Sequence, residues 1–181
     1  MRADARRNRT RILAAAEKVF AEQGTSGSTE QVAAEAGVAI GTVFRHFPTK
    51  KALLQAIMKD LLARLASQAS ELATQEDPAA GLFTFFASLV RQATEKKTVV
   101  ELLASAGIDV PIADSVQNLR EGIETLLVRA QRTGAVRSDV RLDVLIALLV
   151  SACQGAVQAG WDRSLQDRTL EVIFDGLRPA R

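Results

Sequence analysis

Side chains on which metal and redox sites depend are scarce in this chain of 181 residues. It has one cysteine, Cys153, one histidine, His46, and no tyrosine. A single cysteine excludes an internal disulfide bond and a multi-cysteine metal site, and it fits a reducing cytoplasm. Residues 75–181 contain no catalytic constellation. The sequence therefore predicts no metal, no cofactor and no enzymatic activity.

Long apolar runs are also missing. The most apolar stretch, VLIALLVSACQGAVQAGW, is interrupted by Ser151, Gln154 and Gln158, and it does not reach the roughly 18 uninterrupted residues that a membrane span needs. The basic N-terminus, MRADARRNRTRILAAAE, lacks a small-residue cleavage site after an apolar core and is not typical of a signal peptide. We expect a soluble, cytoplasmic protein without a membrane partner.

Positive charge is concentrated at the N-terminal end. Residues 1–65 contain 11 basic and 6 acidic side chains, whereas the rest of the chain contains 12 basic and 15 acidic ones. A basic segment attached to a mildly acidic body indicates contact with a polyanion, either nucleic acid or a membrane surface. A merely soluble basic face is the alternative that charge alone leaves open.

Apolar residues recur at helical spacing along almost the whole chain, which predicts an all-α fold. A short helix follows Ser28 and Gln31, which form a capping-box pattern, and a second lies between Gly37 and Pro48. A longer helix, capped by Thr49, carries an apolar stripe to Leu65. The other predicted helices cover residues 6–23, 79–95, 97–106, 113–133, 140–159 and 164–177.

The pattern is broken by TQEDP at residues 74–78, and Pro78 suits the first turn of a new helix. We therefore predict two domains, at residues 1–65 and 75–181. The first contains three helices with a helix-turn-helix, and the second is a helical domain for ligand binding and dimerisation.

Residues 28–47 have the arrangement of a helix-turn-helix, whose second helix lies in the major groove of DNA. Its polar side would carry the chemistry of recognition. Gly41 allows close approach of the backbone, Thr42 can donate to a phosphate or contact a thymine methyl group, and Arg45 suits a guanine edge or a phosphate. A helical wheel places Ile40, Val43, Phe44 and Phe47 on one apolar arc, opposite Gly41, Thr42, Arg45 and His46.

The run RTRILAAAEKVFAEQGTSGSTEQVAAEAGVAIGTVFRHFPTKKALL, at residues 9–54, closely resembles the N-terminal domain of the TetR family of bacterial transcriptional regulators. The resemblance implies an all-α homodimer that occupies a palindromic operator, usually as a repressor, and that releases DNA when a small molecule enters the C-terminal domain. It also implies base and phosphate contacts by Ile40, Gly41, Thr42, Phe44 and Arg45, and DNA-backbone contacts by His46 and Lys50.

Two departures from the family pattern concern the recognition helix. Phe44 stands where the family most often has a tyrosine whose hydroxyl bonds a phosphate, and Ala39 replaces the usual serine-type cap. The helical wheel predicts that Phe44 is buried, whereas the family resemblance implies that it is exposed. We expect Phe44 at the rim of the apolar arc, with one edge packed and the other open to DNA. The five arginines from Arg2 to Arg11 are either phosphate or minor-groove contacts or part of a disordered tail.

The predicted helix at residues 140–159 is apolar on nearly all sides, so it needs cover from its own chain or from a partner chain. The segment RTGAVRSDVRLDVLIALLV resembles the connection into the penultimate helix of the family. That resemblance implies a homodimer through about residues 142–159 and 165–177, with an intramolecular core helix as the alternative.

The ligand is the least constrained part of the prediction. Apolar side chains of the second domain could line a cavity with a few polar ones, although plain core is the alternative for each. Trp161 either caps a pocket or closes a loop. Cys153 is predicted to be a small core residue. The candidate ligand-binding residues are Phe83, Phe86, Val90, Leu103, Gln117, Arg120, Ile123, Leu127, Gln154 and Trp161, with Val116 and Leu119 beside them.

Together these patterns predict a DNA-binding transcriptional regulator. A helical-bundle carrier or enzyme that does not bind an operator is the first alternative, and a nucleoid protein indifferent to sequence is the second. Only the predicted regulator should combine a palindromic operator, a homodimer and a small-molecule effector.

Overall fold

The structure, a computed structural model, describes residues 2–75, 77–95 and 113–179, and none of these residues is in a strand. The predicted all-α fold is confirmed. The helices are α1 (Arg2–Gln23), α2 (Thr29–Ala36), α3 (Ile40–His46), α4 (Lys50–Ala73), α5 (Pro78–Glu95), α6 (Ala113–Arg132), α7 (Leu142–Ala159) and α8 (Arg163–Leu177), with a 3-10 turn at Gly24–Ser26.

Most predicted helices agree with these bounds to within two residues. The exceptions among the described residues are α4, which continues past Leu65 to Ala73, and α1, which begins at Arg2 rather than at residue 6. Asp4 and Arg7, one turn apart, form a hydrogen-bonded ion pair that supports this first part of the helix. The helix predicted at 97–106 lies outside the described residues.

Helix ends follow the chemistry that the sequence predicts. α1 stops before Gly24, whose φ of +56° is left-handed. Ser28 and Gln31 make the complete capping box at the start of α2, and the side chain of Thr49 accepts a hydrogen bond from the backbone N–H of Ala52 at 3.0 Å. Pro78 is the first residue of α5.

The chain forms two compact units that divide inside α4, between Leu61 and Leu62. The first unit contains α1, α2, α3 and the first half of α4, and the second contains the rest of α4 with α5 to α8. Ala69 and Leu72 of α4 are part of the second core. The division therefore lies near the predicted end of the first domain, and a single helix contributes to both units.

Each unit has its own apolar core. In the first unit, Phe20 of α1, Val43 of α3 and Leu53 of α4 are fully buried. In the second, Phe85 and Phe86 of α5 pack with Leu126 of α6 and Leu145 of α7. The first core fixes α3 between longer helices, which provides the tertiary support that a helix of seven residues needs.

α7 is apolar on nearly all sides, as predicted, but only one of its faces is buried within the chain. Leu145, Leu149, Ala152 and Ala156 face the core, whereas Val144 and Val150 are 49% and 47% exposed. α7 is long and apolar enough to cross a membrane by length and composition, with a mean hydropathy of 1.7. The polar residues Ser151, Gln154 and Gln158 interrupt that apolar sequence.

Candidate nucleic-acid interface

The turn between α2 and α3 is built from backbone hydrogen bonds around a left-handed glycine. Gly37 has a φ of +62°, and its N–H donates to the carbonyl of Ala34 at 3.1 Å. The N–H of Val38 donates to the carbonyl of Ala33 at 3.0 Å. These bonds satisfy the last carbonyls of α2 and turn the chain into α3.

One face of α3 is anchored in the core and the other is open. Val43 is fully buried and Phe47, which follows the helix, is 4% exposed. Ile40 and Phe44 are 38% and 43% exposed. A Cβ atom added to Gly41 would have nothing within 4 Å. The helical wheel was therefore right for Val43 and Phe47 and wrong in grouping Ile40 and Phe44 with them.

The polar residues of α3 complete this open face. Arg45 is exposed, and Thr42 and His46 are half-buried. Ala39 is the N-cap and offers no side-chain hydrogen bond, as its replacement of a serine-type cap predicts. Ile40, Gly41, Phe44 and Arg45 together present a mixed apolar and cationic surface.

The N-terminal part of α1 lies beside the end of α3. The guanidinium of Arg9 sits 5.6 Å from the centroid of the Phe47 ring, a cation–π contact. The ring of His46 lies 6.1 Å from that of Phe47. Arg9 is exposed, so its charge extends the cationic surface of α3 onto α1. This part of the predicted arm is an ordered helix rather than a disordered tail.

Lys50 is placed differently from the other predicted DNA-binding residues. Its ammonium group donates to the carbonyl of Gly27 at 2.6 Å and lies 5.2 Å from the centroid of the Phe20 ring. The side chain is half-buried. Gly27 must be a glycine here, because a Cβ atom would approach the Phe20 ring to 2.8 Å. The ammonium group is thus directed into the protein.

Arg11 is the last of the five arginines that the sequence assigned to DNA contacts or to a disordered tail, and its contacts with α2 were not predicted. Its guanidinium donates to the carbonyl of Ala36 at 2.6 Å and lies 3.5 Å from that of Gly37. On the same face of α1, Lys18 forms an ion pair with Glu35 at 2.8 Å. The last turn of α2 contains no basic residue, although the negative end of the helix dipole favours a cation there. This lack is the sequence signal that could have indicated a cation from another helix, such as Arg11.

The candidate ligand-binding residues fall into different environments. Phe86, Val90, Ile123 and Leu127 are 4% exposed or less and belong to the packed core, whereas Gln117, Arg120 and Gln154 are exposed. Phe83 is half-buried and stacks at 4.6 Å on Phe174. Leu103 lies outside the described residues. None of the others lines the groove between α4 and α6 or the groove between α7 and α8 described below.

Trp161 closes a loop. Its indole ring lies against Gly155, where a Cβ atom would meet the ring at 2.9 Å. Its backbone carbonyl accepts a hydrogen bond from the side chain of Gln166 at 3.0 Å. Trp161 therefore joins the end of α7 to the first turns of α8, which favours the second of its two predicted roles.

Cys153 is half-buried against the second core. Burial raises the pKa of its thiol to about 11, because an apolar environment disfavours the thiolate. A sensor thiol needs the opposite shift. The side chain behaves as the small core residue that was predicted.

A groove of about 650 Å³ runs between α4 and α6. Its polar lining includes Ser67, Ser70 and Glu71 of α4 and Ser115, Asn118 and Glu121 of α6. Ser115 is only 9% exposed. None of the candidate ligand-binding residues lines this groove, so sequence reasoning missed it.

A second, more apolar groove of about 330 Å³ lies between α7 and α8. Val144 and Leu148 of α7 face Val172 and Gly176 of α8 across it. Val172 is 73% exposed, and Leu165 at the start of α8 is 41% exposed. This apolar surface coincides with the segments for which the sequence predicts dimerisation.

Two family models match the chain. Residues 12–57 match the model described as bacterial regulatory proteins of the TetR family, and residues 77–179 match the C-terminal domain of SbtR-like transcriptional regulators. Among curated proteins, the chain is similar to the HTH-type transcriptional repressor DhaR of Mycobacterium sp. (strain GP1). The two are 27% identical over 180 residues, which cover 90% of this chain and 88% of DhaR.

Solved structures give the same result. A TetR transcription regulatory protein from Mycobacterium vanbaalenii is 38% identical with a TM-score of 0.80, and the match covers 98% of this chain and 99% of that one. The regulator SCO0520 from Streptomyces coelicolor is 33% identical with a TM-score of 0.78, and the match covers 96% and 99%. With its helix-turn-helix in the first unit and its helical second unit, the chain belongs to the TetR family of DNA-binding transcriptional regulators.

Proposed function

We propose that this regulator is a homodimeric repressor that occupies a palindromic operator and leaves it when a small molecule binds the second unit. The open face of α3 is the observation that carries the proposal. This face presents the exposed apolar side chains of Ile40 and Phe44, the glycine Gly41 with open space around it, and the exposed Arg45. The apolar core of the first unit holds the helix in place. The similarity to DhaR, a transcriptional repressor, supports repression rather than activation.

Recognition in this proposal uses α3 in the major groove. Arg45 binds a guanine edge or a phosphate, and Thr42 binds a phosphate or a thymine methyl group. Gly41 allows the backbone to approach the DNA. Ile40 and Phe44 make apolar contacts, and His46 contacts the DNA backbone. Arg9 and the arginines before it add phosphate or minor-groove contacts from α1.

Dimerisation in this proposal uses the apolar surface of α7 and α8. Val144 and Val172 are exposed and line the groove between α7 and α8, and exposed apolar surface of this kind marks protein interfaces. A twofold dimer explains why an operator would be palindromic, because each half-site then meets one recognition helix. The two helices must be about 34 Å apart to reach successive major grooves.

The effector site in this proposal is the groove between α4 and α6. Its lining combines hydroxyl and amide groups with the carboxylates of Glu71 and Glu121, which favours a polar effector carrying positive charge. Ser115, 9% exposed, adds a hydroxyl group to this lining. Because α4 begins beside the helix-turn-helix at Lys50, an effector that shifts this helix would change the population of the DNA-binding dimer.

Selection of bound DNA from a random pool tests the operator. The wild-type protein should enrich a palindrome whose half-site centres are one helical turn, about 10 base pairs, or a multiple of it apart. Replacing Thr42 and Arg45 together by alanine should abolish the enrichment. The matched control is Lys59→Ala, which removes an exposed charge from α4. A pool that remains random after selection with the wild-type protein would exclude sequence-specific repression.

Filling the groove tests the effector site. Spermidine serves as the cationic probe and glucitol as a neutral one, with the melting temperature as the readout. We expect spermidine to raise the melting temperature of the wild type but not of Ser67→Phe, which places a ring in the groove. Glu124→Phe puts the same ring on the exposed side of α6 and should respond as the wild type does. If spermidine raised the melting temperatures of Ser67→Phe and Glu124→Phe equally, the effector site would lie outside this groove.

Membership of a family of DNA-binding regulators disfavours the helical-bundle carrier that the sequence left open. A carrier would select no DNA from the pool, so the selection experiment decides between the two.

A further inference from the structure

Helix α2 is held at both ends by cations from neighbouring helices. It has only eight residues, too few for a stable isolated helix, and it carries α3 through the turn at Gly37. Lys50 of α4 bonds the chain just before α2, and Arg11 of α1 bonds the chain at its end. The two residues are 39 positions apart in sequence and act on opposite ends of the same short helix.

Lys50 joins three elements of the first unit. Its hydrogen bond to the carbonyl of Gly27, at 2.6 Å, ends on the residue before the N-cap Ser28. Its cation–π contact with Phe20, at 5.2 Å, fixes the same ammonium group over α1. Gly27 is buried, and its lack of a Cβ atom allows the Phe20 ring to close on it. A shift of the start of α2 would break the hydrogen bond to Gly27, while the contact with Phe20 of α1 keeps the ammonium group in place.

Arg11 holds the other end. The carbonyl of Ala36 is one of the last of α2, where unpaired carbonyls and the negative end of the helix dipole favour a cation. The guanidinium meets it at 2.6 Å and also approaches Gly37, the left-handed residue that directs the chain into α3. A Cβ atom on Gly37 would come within 3.0 Å of the same guanidinium. Arg11 thus fixes the exit of α2 at the point where the direction of α3 is set.

From these contacts we propose that Lys50 and Arg11 are positioning residues of the recognition helix rather than phosphate ligands. The side chain of Lys50 is half-buried, whereas Arg11 is exposed at the surface of α1. Each bonds a backbone carbonyl at one end of α2, and together they keep α3 at the angle that its operator requires. For Lys50 this replaces the backbone contact that the family resemblance implies. The inference rests on the proposed operator binding.

Salt dependence separates the two roles. Each phosphate contact that is lost lowers the slope of log K against log salt concentration by about 0.9, so a phosphate ligand lost from both protomers lowers it by about 1.8. Specific and non-specific affinity then fall together. Loss of a positioning residue leaves the slope unchanged and lowers specific affinity alone, because misplaced helices still meet phosphates but no longer match the bases.

The experiment measures affinities for the palindrome that the wild-type protein selects and for the same sequence scrambled, from 50 to 300 mM KCl. We expect Lys50→Met and Arg11→Met to lower the ratio of specific to non-specific affinity at least tenfold, with slopes within 0.5 of the wild type. Lys51→Gln is the matched control: it removes an exposed neighbouring charge and should leave the ratio unchanged. Circular dichroism at the assay temperature establishes that each variant is folded.

A second pair of variants keeps the test decisive if the methionine variants do not fold. Lys50→Arg and Arg11→Lys keep the charge but change the geometry of the donor. A positioning role predicts that both exchanges lower the ratio of specific to non-specific affinity without changing the salt slope. A phosphate ligand would keep its operator affinity in either exchange.

Three results would overturn the inference. The first is a salt slope reduced by about 1.8 with an unchanged ratio of specific to non-specific affinity. The second is an unchanged ratio and slope in a folded methionine variant, and the third is a wild-type ratio in both exchange variants. Failure of the wild type to discriminate the two DNA sequences would instead refute the proposed operator binding, and the inference with it.

Discussion

Phe44 differs by a single hydroxyl group from the tyrosine that is common in the family at this position. The structure leaves its ring 43% exposed on the open face of α3. If the ring edge lies near a phosphate, Phe44→Tyr supplies a donor to a charged acceptor, an interaction worth about 1.5 to 3 kcal/mol. We expect operator affinity to rise about tenfold or more. Fluorescence anisotropy with labelled DNA measures it.

Phe44→Leu is the control for that prediction, because it keeps an apolar side chain without a ring or a hydroxyl. It should bind the operator no more tightly than the wild type. If Phe44→Tyr and Phe44→Leu had the same affinity, the ring of Phe44 would not lie near a phosphate.

The raised pKa of Cys153 predicts that its thiol reacts slowly in the folded chain. The pKa of about 11 in the folded chain exceeds the ordinary 9.0, so at pH 8 the fraction of thiolate falls about 100-fold. A thiol-specific reagent should react at least that much more slowly with the folded chain than with the chain in urea. Comparable rates in the two states would show that the thiol is accessible and ionised.

The same shift has a sign for stability. Because folding raises the pKa of this acid, the neutral thiol is favoured in the folded state, and the stabilisation is complete below pH 9. It is lost as the pH rises from about 9 to about 11. Cys153→Ala should flatten this part of the stability curve, which urea titrations at several pH values would measure.

Individual side chains mark the limit of what the sequence could predict. Spacing identified Gly37, Ser28 and Gln31 correctly, because turns and caps are local and depend on neighbouring residues. Lys50 and Arg11 are different, since each bonds a carbonyl more than 20 positions away. The family resemblance assigned Lys50 to DNA, and the sequence left Arg11 between a DNA contact and a disordered tail. Only the packing of α1 and α4 around α2 reveals their partners.

At the scale of the element, α3 begins without a side-chain cap. Ala39 has the extended φ and ψ of −64° and 143° that an N-cap requires, so a serine fits there without strain. Ala39→Ser should stabilise the protein by about 1 kcal/mol, which corresponds to about 2–4 °C in melting temperature for a chain of this size. Thermal unfolding followed by circular dichroism measures the change.

Ala34→Ser serves as the comparison, because it introduces the same side chain in the middle of α2 at an exposed position. Serine costs stability in a helix interior, so this variant should melt at or below the temperature of the wild type. A gain at Ala34 equal to that at Ala39 would argue against capping as the cause.

Elements were the most predictable part of the fold. Periodicity located α5, α6, α7 and α8 because each repeats its apolar positions over at least four turns. The helical wheel was less reliable for α3, which has only seven residues. Val43 is the one residue of the helix that is buried in the core, together with Phe47 just after it. Ile40 and Phe44 therefore remain exposed although they are apolar, and the family resemblance predicted their positions better than the wheel.

For the whole molecule, the exposed apolar surface of α7 and α8 predicts a dimer that one substitution can break. Val172→Glu places a charge at a site that is 73% exposed in the single chain and that we expect to be desolvated in the dimer. Light scattering should show the mass falling from twice 19.5 kDa to 19.5 kDa. Operator affinity should fall with it, because one half-site then binds alone.

Ser164→Glu is the matched control for dimerisation. Ser164 is exposed in the first turn of α8 and does not line the groove between α7 and α8, so the same charge should leave the dimer intact. A dimer that survives Val172→Glu unchanged would move the interface away from this groove. Neither groove could be predicted from the sequence, because both depend on how two helices pack.

The central claim, that the open face of α3 recognises one palindromic operator, is tested most directly by a ratio of affinities. The affinity of the wild-type protein for the palindrome it selects is compared with its affinity for scrambled DNA at about 150 mM salt. We predict a ratio of at least about 1,000, which should collapse when Thr42 and Arg45 are replaced together. Equal affinities for the two DNA sequences would contradict it.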